Sequence, residues 1–343
     1  MTLSPRLPAA VLLPALLLAQ AAVASAAERV RVPSPWIAGQ TVAYDDEALQ
    51  RDAVGENGPS TRRITDRTEI RVESAGRDGI VLAWTTRDSR VEAVEGDRTM
   101  ADLLAPVLAS LDEMPVVIEL DGDGRYRRVR DLDALAGRVR AAMLPAFLTN
   151  LERTLGAGAK VDKIGRDDAL EAARRDLQAN MDTIVSRDSV EAGAAMQQRL
   201  LSAFVGKTLV AGRRYTDHEP ILSPIEGRPL PGLREYTLEI DRDDPSLARI
   251  RWTHRLDAGG APAALWALAK ELGAETLGDG RPADLALEQT GTLLFRRDTG
   301  VVELLQTDER SKYGAAHDET ERHRMRRVGA ARTWAQEEAA RQR

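Results

Sequence analysis

The chain carries four histidines, His218, His254, His317 and His323, and its candidate chemistry begins with them. If residues 317–323 are extended, His317, Glu319, Glu321 and His323 share one face, because side chains alternate along a strand. Imidazoles and carboxylates together can bind Zn²⁺. The spacing differs from the helical two-His pattern of zinc proteases. Asp318, Thr320 and Arg322 take the opposite face, so a solvated strand end or loop explains the stretch better. Tyr215 to Pro220 places Asp217, His218 and Glu219 in a row. A His–Asp pair can orient the base of a nucleophile, but neighbours on an extended chain point apart. Neither a G-x-S-x-G elbow nor an S-x-x-K pair occurs.

Two glycine motifs imitate ion and phosphate sites. Glu119 to Gly124 matches the start of a calcium loop, with oxygens at positions one, three and five and glycine at six. Positions nine and twelve are Arg127 and Arg130, where the ion needs oxygen. A hairpin turn accounts for the same residues. Gly206-Lys207-Thr208 resembles the end of a phosphate-binding loop, but Leu201 stands where the first glycine belongs. The tripeptide also closes a helical pattern instead of opening one, which makes Gly206 a helix cap. No catalytic residue, metal site or cofactor is therefore expected.

Two broader patterns remain. Arg322, Arg324 and Arg326 alternate onto one face of an expected strand, with Arg327 beside them. Such a row suits an anionic partner; it equally suits edge protection or a plain solvated face. The apolar stripes that include Met143, Phe147, Met181 and Phe204 could line a cavity for an apolar ligand, since methionine adapts to irregular shapes. An ordinary dry core is the competing reading.

These residues need elements to position them. Residues 64–74 alternate, with Ile64, Thr68, Ile70 and Val72 on one face and arginines on the other. The turn 76–79 and the run Ile80, Leu82, Trp84 complete a hairpin. Strands are expected again at 115–120 and 125–129, and a short helix at 99–111 broken by Pro106. From 131 to 209 the period becomes helical: Leu132 to Leu151 with a kink at Pro145, a second helix capped by Asp167 or Asp168, and a third stripe from Val190 to Val205. Strands return at 233–240, 247–256, 285–296, 301–307 and 319–328, with a helix at 261–272.

Composition bounds the rest. The chain has 343 residues and a net charge of −6, with no cysteine, which excludes disulfides, thiol chemistry and lipid anchoring through cysteine. Only five of the 48 basic residues are lysine. Scattered arginine on an acidic chain argues against nucleic acid. Arg6 is the sole charge in the first 26 residues, Leu7 to Leu18 is mostly apolar, and Ala24-Ser25-Ala26 follows. That pattern is a secretory signal peptide, which predicts a periplasmic or secreted protein. No later stretch is long and apolar enough to predict a membrane-spanning helix.

The expected fold is α+β, a large curved antiparallel sheet with amphipathic helices packed on one face. Residues 27–328 form one domain in this reading, with strands at 40–130, the helical block at 131–209 and strands at 210–328. Residues 329–343 are a polar Ala/Arg-rich tail. The function expected is a non-enzymatic binding or carrier module for a lipid-like ligand. The alternatives are an envelope interaction protein, or a hydrolase whose site joins residues distant in sequence.

Overall fold

The computed structural model describes residues 28–54, 58–96, 98–158, 163–222, 229–257, 285–313 and 317–342. The leader pattern and the helix expected at 261–272 lie outside these. The fold is mixed α+β and is dominated by one eleven-stranded antiparallel sheet that does not close into a barrel.

The first half of that sheet is built from β2 (Thr41–Asp52), β3 (Ser60–Gly76), β4 (Gly79–Glu95), β5 (Val116–Leu120) and β6 (Tyr126–Val129). The second half comes from β8 (Arg214–His218), β11 (Gly232–Ile240), β12 (Leu247–Leu256), β13 (Leu285–Arg296), β14 (Val302–Tyr313) and β15 (His317–Arg327). The order across the sheet is β6-β5-β4-β3-β2-β15-β14-β13-β12-β11-β8. The pairing of β2 with β15 thus joins the two halves, Ala48 standing opposite His323. Two short pairs lie outside the sheet. They are β1 (Arg29–Arg31) with β7 (Thr208–Val210), and β9 (Ile221–Leu222) with β10 (Pro229–Leu230).

The sheet is curled at one end. A Cβ added at Gly300, in the β13–β14 turn, would lie 2.2 Å from the Pro33 carbonyl oxygen. One added at Gly124, in the β5–β6 turn, would lie 2.9 Å from Ser34 Oγ. These hairpins are six strand positions apart, roughly 29 Å in a flat sheet at about 4.8 Å per strand. Adjacent residues Pro33 and Ser34 touch both, so the sheet must bend around them.

The inner face carries the main core. Ile70, Leu82, Ile118, Ile250, Phe295 and Met325 belong to one buried cluster with Leu201 and Phe204 of the helical block. The alternation seen at residues 64–74 places Ile70 and Val72 on this face, while Arg67 and Arg71 stand outside.

The helices are α1 (Thr99–Leu111), α2 (Leu132–Gly158), α3 (Lys163–Ile184), α4 (Arg187–Ser202) and α5 (Trp334–Gln342). α1 passes through Pro106 without the expected break. A proline removes one helical hydrogen bond, and the packing of Ala101 and Val107 offsets that loss. α3 begins several residues before the expected Asp167 or Asp168 cap. Ser186 caps α4, its Oγ accepting from the Ser189 N–H at 3.1 Å. Arg140 of α2 donates to the Val185 carbonyl oxygen at 3.1 Å, tying the α3–α4 junction to α2. On the sheet side, the Tyr126 hydroxyl donates to Glu191, and Arg199 lies 4.5 Å above the Tyr126 ring. α4 is thereby held over the inner face beside β6.

α5 packs on the opposite, outer face. Trp334 joins Leu247, Leu294 and Leu304 there. Beside them Arg249 reaches Glu337 at 2.8 Å and Asp241 at 3.0 Å, and Arg332 grips Asp241 with two contacts of 2.6 Å. Part of the polar tail is thus a docked helix.

Candidate functional site

An apolar cleft of about 580 Å³ opens between the helices and the inner face of β3 and β4. Ile64 and Trp84 form its floor; Val139 and Met143 of α2, Leu108 of α1 and Val190 of α4 form its walls. Gly193 also borders it, and a Cβ added there would meet no atom within 4 Å. Met196 lines it too and remains 42% exposed, which leaves an apolar side chain open to solvent. The volume and the apolar lining match those of small-ligand sites.

Two carboxylates, Asp66 and Asp112, are the only ionisable groups among the described lining residues. Asp112 accepts from the Ser89 N–H at 3.0 Å and from the Ser89 hydroxyl at 2.5 Å. Asp66 accepts from the Thr68 hydroxyl at 3.3 Å. Its pKa is pushed up to about 7, first by burial and then by the charge of Asp46 opposite it on β2. Behind Asp66, Asp46 is buried and pairs with His323 at 2.6 Å. The Gln197 amide of α4 donates to Asp46 at 2.6 Å as well. Burial alone would lower the pKa of His323, but the hydrogen bond and charge of Asp46, joined by Glu321 and Asp66, raise it.

Of the ligand-binding candidates, Met143 lines the cleft. Phe147 is half-buried one turn farther along α2, and Met181 is buried on α3. Phe204 lies elsewhere, in the main core, its ring 5.2 Å from Tyr236 and 5.5 Å from Trp252. The four therefore do not share one wall.

Arg322, Arg324 and Arg326 do share the outer face of β15, and each is paired. Arg322 reaches Asp308 at 2.6 Å, Arg324 reaches Glu338 of α5 at 2.6 Å, and Arg326 reaches Asp45 at 3.1 Å. The edge-protection reading is corrected, because β15 is the sixth of eleven strands, flanked by β2 and β14. A second cleft of about 710 Å³ lies on this outer face near Arg51, Thr290 and Arg322, amid these charged pairs.

His317, Glu319, Glu321 and His323 lie on one face of β15, as alternation predicts, but the face turns inward. The solvated reading fails at His323, which is buried. His317 lies 2.7 Å from the Ser311 hydroxyl. Among the described residues no group of three or more His, Asp or Glu is arranged to hold a metal ion. The calcium-like stretch is a turn: Asp121 accepts from the N–H groups of Asp123 and Arg125. Glu119 binds Arg128 and Arg130, which hold its pKa down to about 2. His254 contacts the Glu219 carbonyl oxygen at 2.9 Å, three strands away from the β15 histidines. His218 is exposed near Asp257.

No family model matches the chain, and no curated protein matches it. A solved structure of lipovitellin, described by its lipid–protein interactions, aligns with a TM-score of 0.40 and 8% identity. The alignment covers 87% of this chain, which spans 26% of that one. A likeness at that level carries no argument about ligand or activity. No helix among the described residues is long and apolar enough to cross a membrane.

Proposed function

We propose that the protein is an exported, non-enzymatic binding or carrier module that holds a lipid-like ligand between α1, α2, α4 and the sheet. The observation that carries this reading is the apolar cleft of about 580 Å³. Gly193 and Met196 stand exposed at its rim, so the cleft opens to solvent beside α4. An alkyl chain entering the cleft would gain about 0.8 kcal/mol for each CH₂ removed from water. Loss of free motion opposes that gain, so a chain of several carbons is needed for useful affinity. Export rests on the N-terminal pattern of Arg6, the apolar run and Ala24-Ser25-Ala26.

Calorimetric titration of the purified protein with decanol tests the binding. One site per chain is expected, with a negative heat-capacity change from apolar burial. No heat and no displacement of a fluorescent probe up to the solubility of decanol would overturn the proposal.

A further inference from the structure

We infer that the cleft selects amphiphiles with a cationic head group, such as an alkylammonium, over fatty-acid anions of equal chain length. This deepens the reading of the cleft as a ligand site and rests on it. Charge complementarity within an apolar wall favours a cation here. Asp66 and Asp112 are the only ionisable residues among those described around the cleft. No described ion pair joins either carboxylate to a Lys, Arg or His, and the nearby imidazole of His323 is held 2.6 Å from Asp46. The Gln197 amide is also turned to Asp46.

Both carboxylates are fixed in place. Asp112 is held by two contacts from Ser89, and Asp66 by one from Thr68. Each retains acceptor capacity, since an ionised carboxylate has about four lone-pair sites. An ammonium group has three donors and a positive charge to offer them. A fatty-acid carboxylate would add a negative charge beside two half-buried carboxylates, where Coulomb forces are less screened than in bulk water.

The test compares decylammonium, decanol and decanoate by competitive displacement from the full-length protein at pH 8. Decylammonium should bind about tenfold more tightly than decanol, equivalent to roughly 1.4 kcal/mol, and decanoate should be the weakest. In the Asp66→Asn, Asp112→Asn double variant, the ratio of decylammonium to decanol affinity should fall to about one. Should the double variant fail to fold, each single variant should lose part of that preference. Gly193→Phe, at the exposed rim, should weaken binding of all three probes. Decanol or decanoate binding as tightly as decylammonium would overturn the charge selection and leave the cleft as a site. Binding that survives Gly193→Phe unchanged, or no binding of any probe to the wild type, would overturn both readings.

Discussion

Asp46 on β2 and Asp66 on β3 stand directly opposite one another, two carboxylates on the inner face beside an apolar cleft. Like charges directly opposite one another destabilise a sheet. The protein resolves the conflict unevenly: among the described residues Asp46 receives His323 and Gln197, while the hydrogen bond to Asp66 comes from the Thr68 hydroxyl.

That asymmetry gives stability a defined pH dependence. The groups acting on Asp66 are Asp46 from β2, His323 from β15, Thr68 from its own strand and Asp112 beyond α1. Its folded pKa of about 7 lies above the ordinary value, so the unfolded chain loses this proton first. The resulting penalty is absent below about pH 4, grows as pH rises, and levels off above about pH 7. Asp66→Asn should match the wild type near pH 4 and exceed it by roughly 1–3 kcal/mol at pH 8. Urea unfolding at the two pH values measures this. An equal difference at both would show that the ionisation of Asp66 has no part in it.

Gly193 separates filling the cleft from damaging the fold. It lies inside α4 with open space at its Cβ position. Gly193→Ala should stabilise the protein by about 0.5–1 kcal/mol through helix propensity. Gly193→Phe, at the exposed rim, should keep the melting temperature while weakening decanol binding. A large loss of stability in both variants would mean that the site has no room.

On the outer face, burial decides which ion pairs matter. Glu337 is 1% exposed and bound to Arg249, whereas Glu338 is largely exposed beside Arg324. Glu337→Ala leaves buried Arg249 with Asp241 alone, an acid it shares with Arg332, and should cost about 1.5–3 kcal/mol. Glu338→Ala should cost less than about 1 kcal/mol. Thermal melts of both variants check the contrast, and equal losses would count against the docking of α5 as described.

The N-terminal pattern predicts a mature chain beginning at Ala27. Intact mass of protein from an envelope fraction provides the check. A mass that retains Met1 to Ala26, from a cytosolic fraction, would reverse the assignment of compartment.

Local patterns in the sequence reveal the strands and much of the helical block. The alternation from Ile64 to Val72 marks both the strand and its buried face, because the side-chain period is two. The inward face shared by His317, Glu319, Glu321 and His323 is legible in the same way, but its burial is not. His323 meets Asp46, which lies far earlier in the chain, and only the β2–β15 pairing brings them together. Asp66 carries no sequence signal for the same reason, since its environment depends on the register with β2. The Arg row misleads in the other direction: alternation identifies the shared face of Arg322, Arg324 and Arg326, but not the acids opposite them or the central position of β15. Met143 lies on a cleft wall while Phe204 fills the core, a distinction that helical periodicity cannot make.

The most direct test of the central claim is a crystal structure of the protein soaked with 10-bromodecanol, read from the anomalous signal of bromine. One ordered peak is expected within contact distance of Trp84, Val139 or Met143, with the alkyl chain in the cleft. A peak only on the outer face near Arg322, or no ordered peak at saturating ligand, would contradict it.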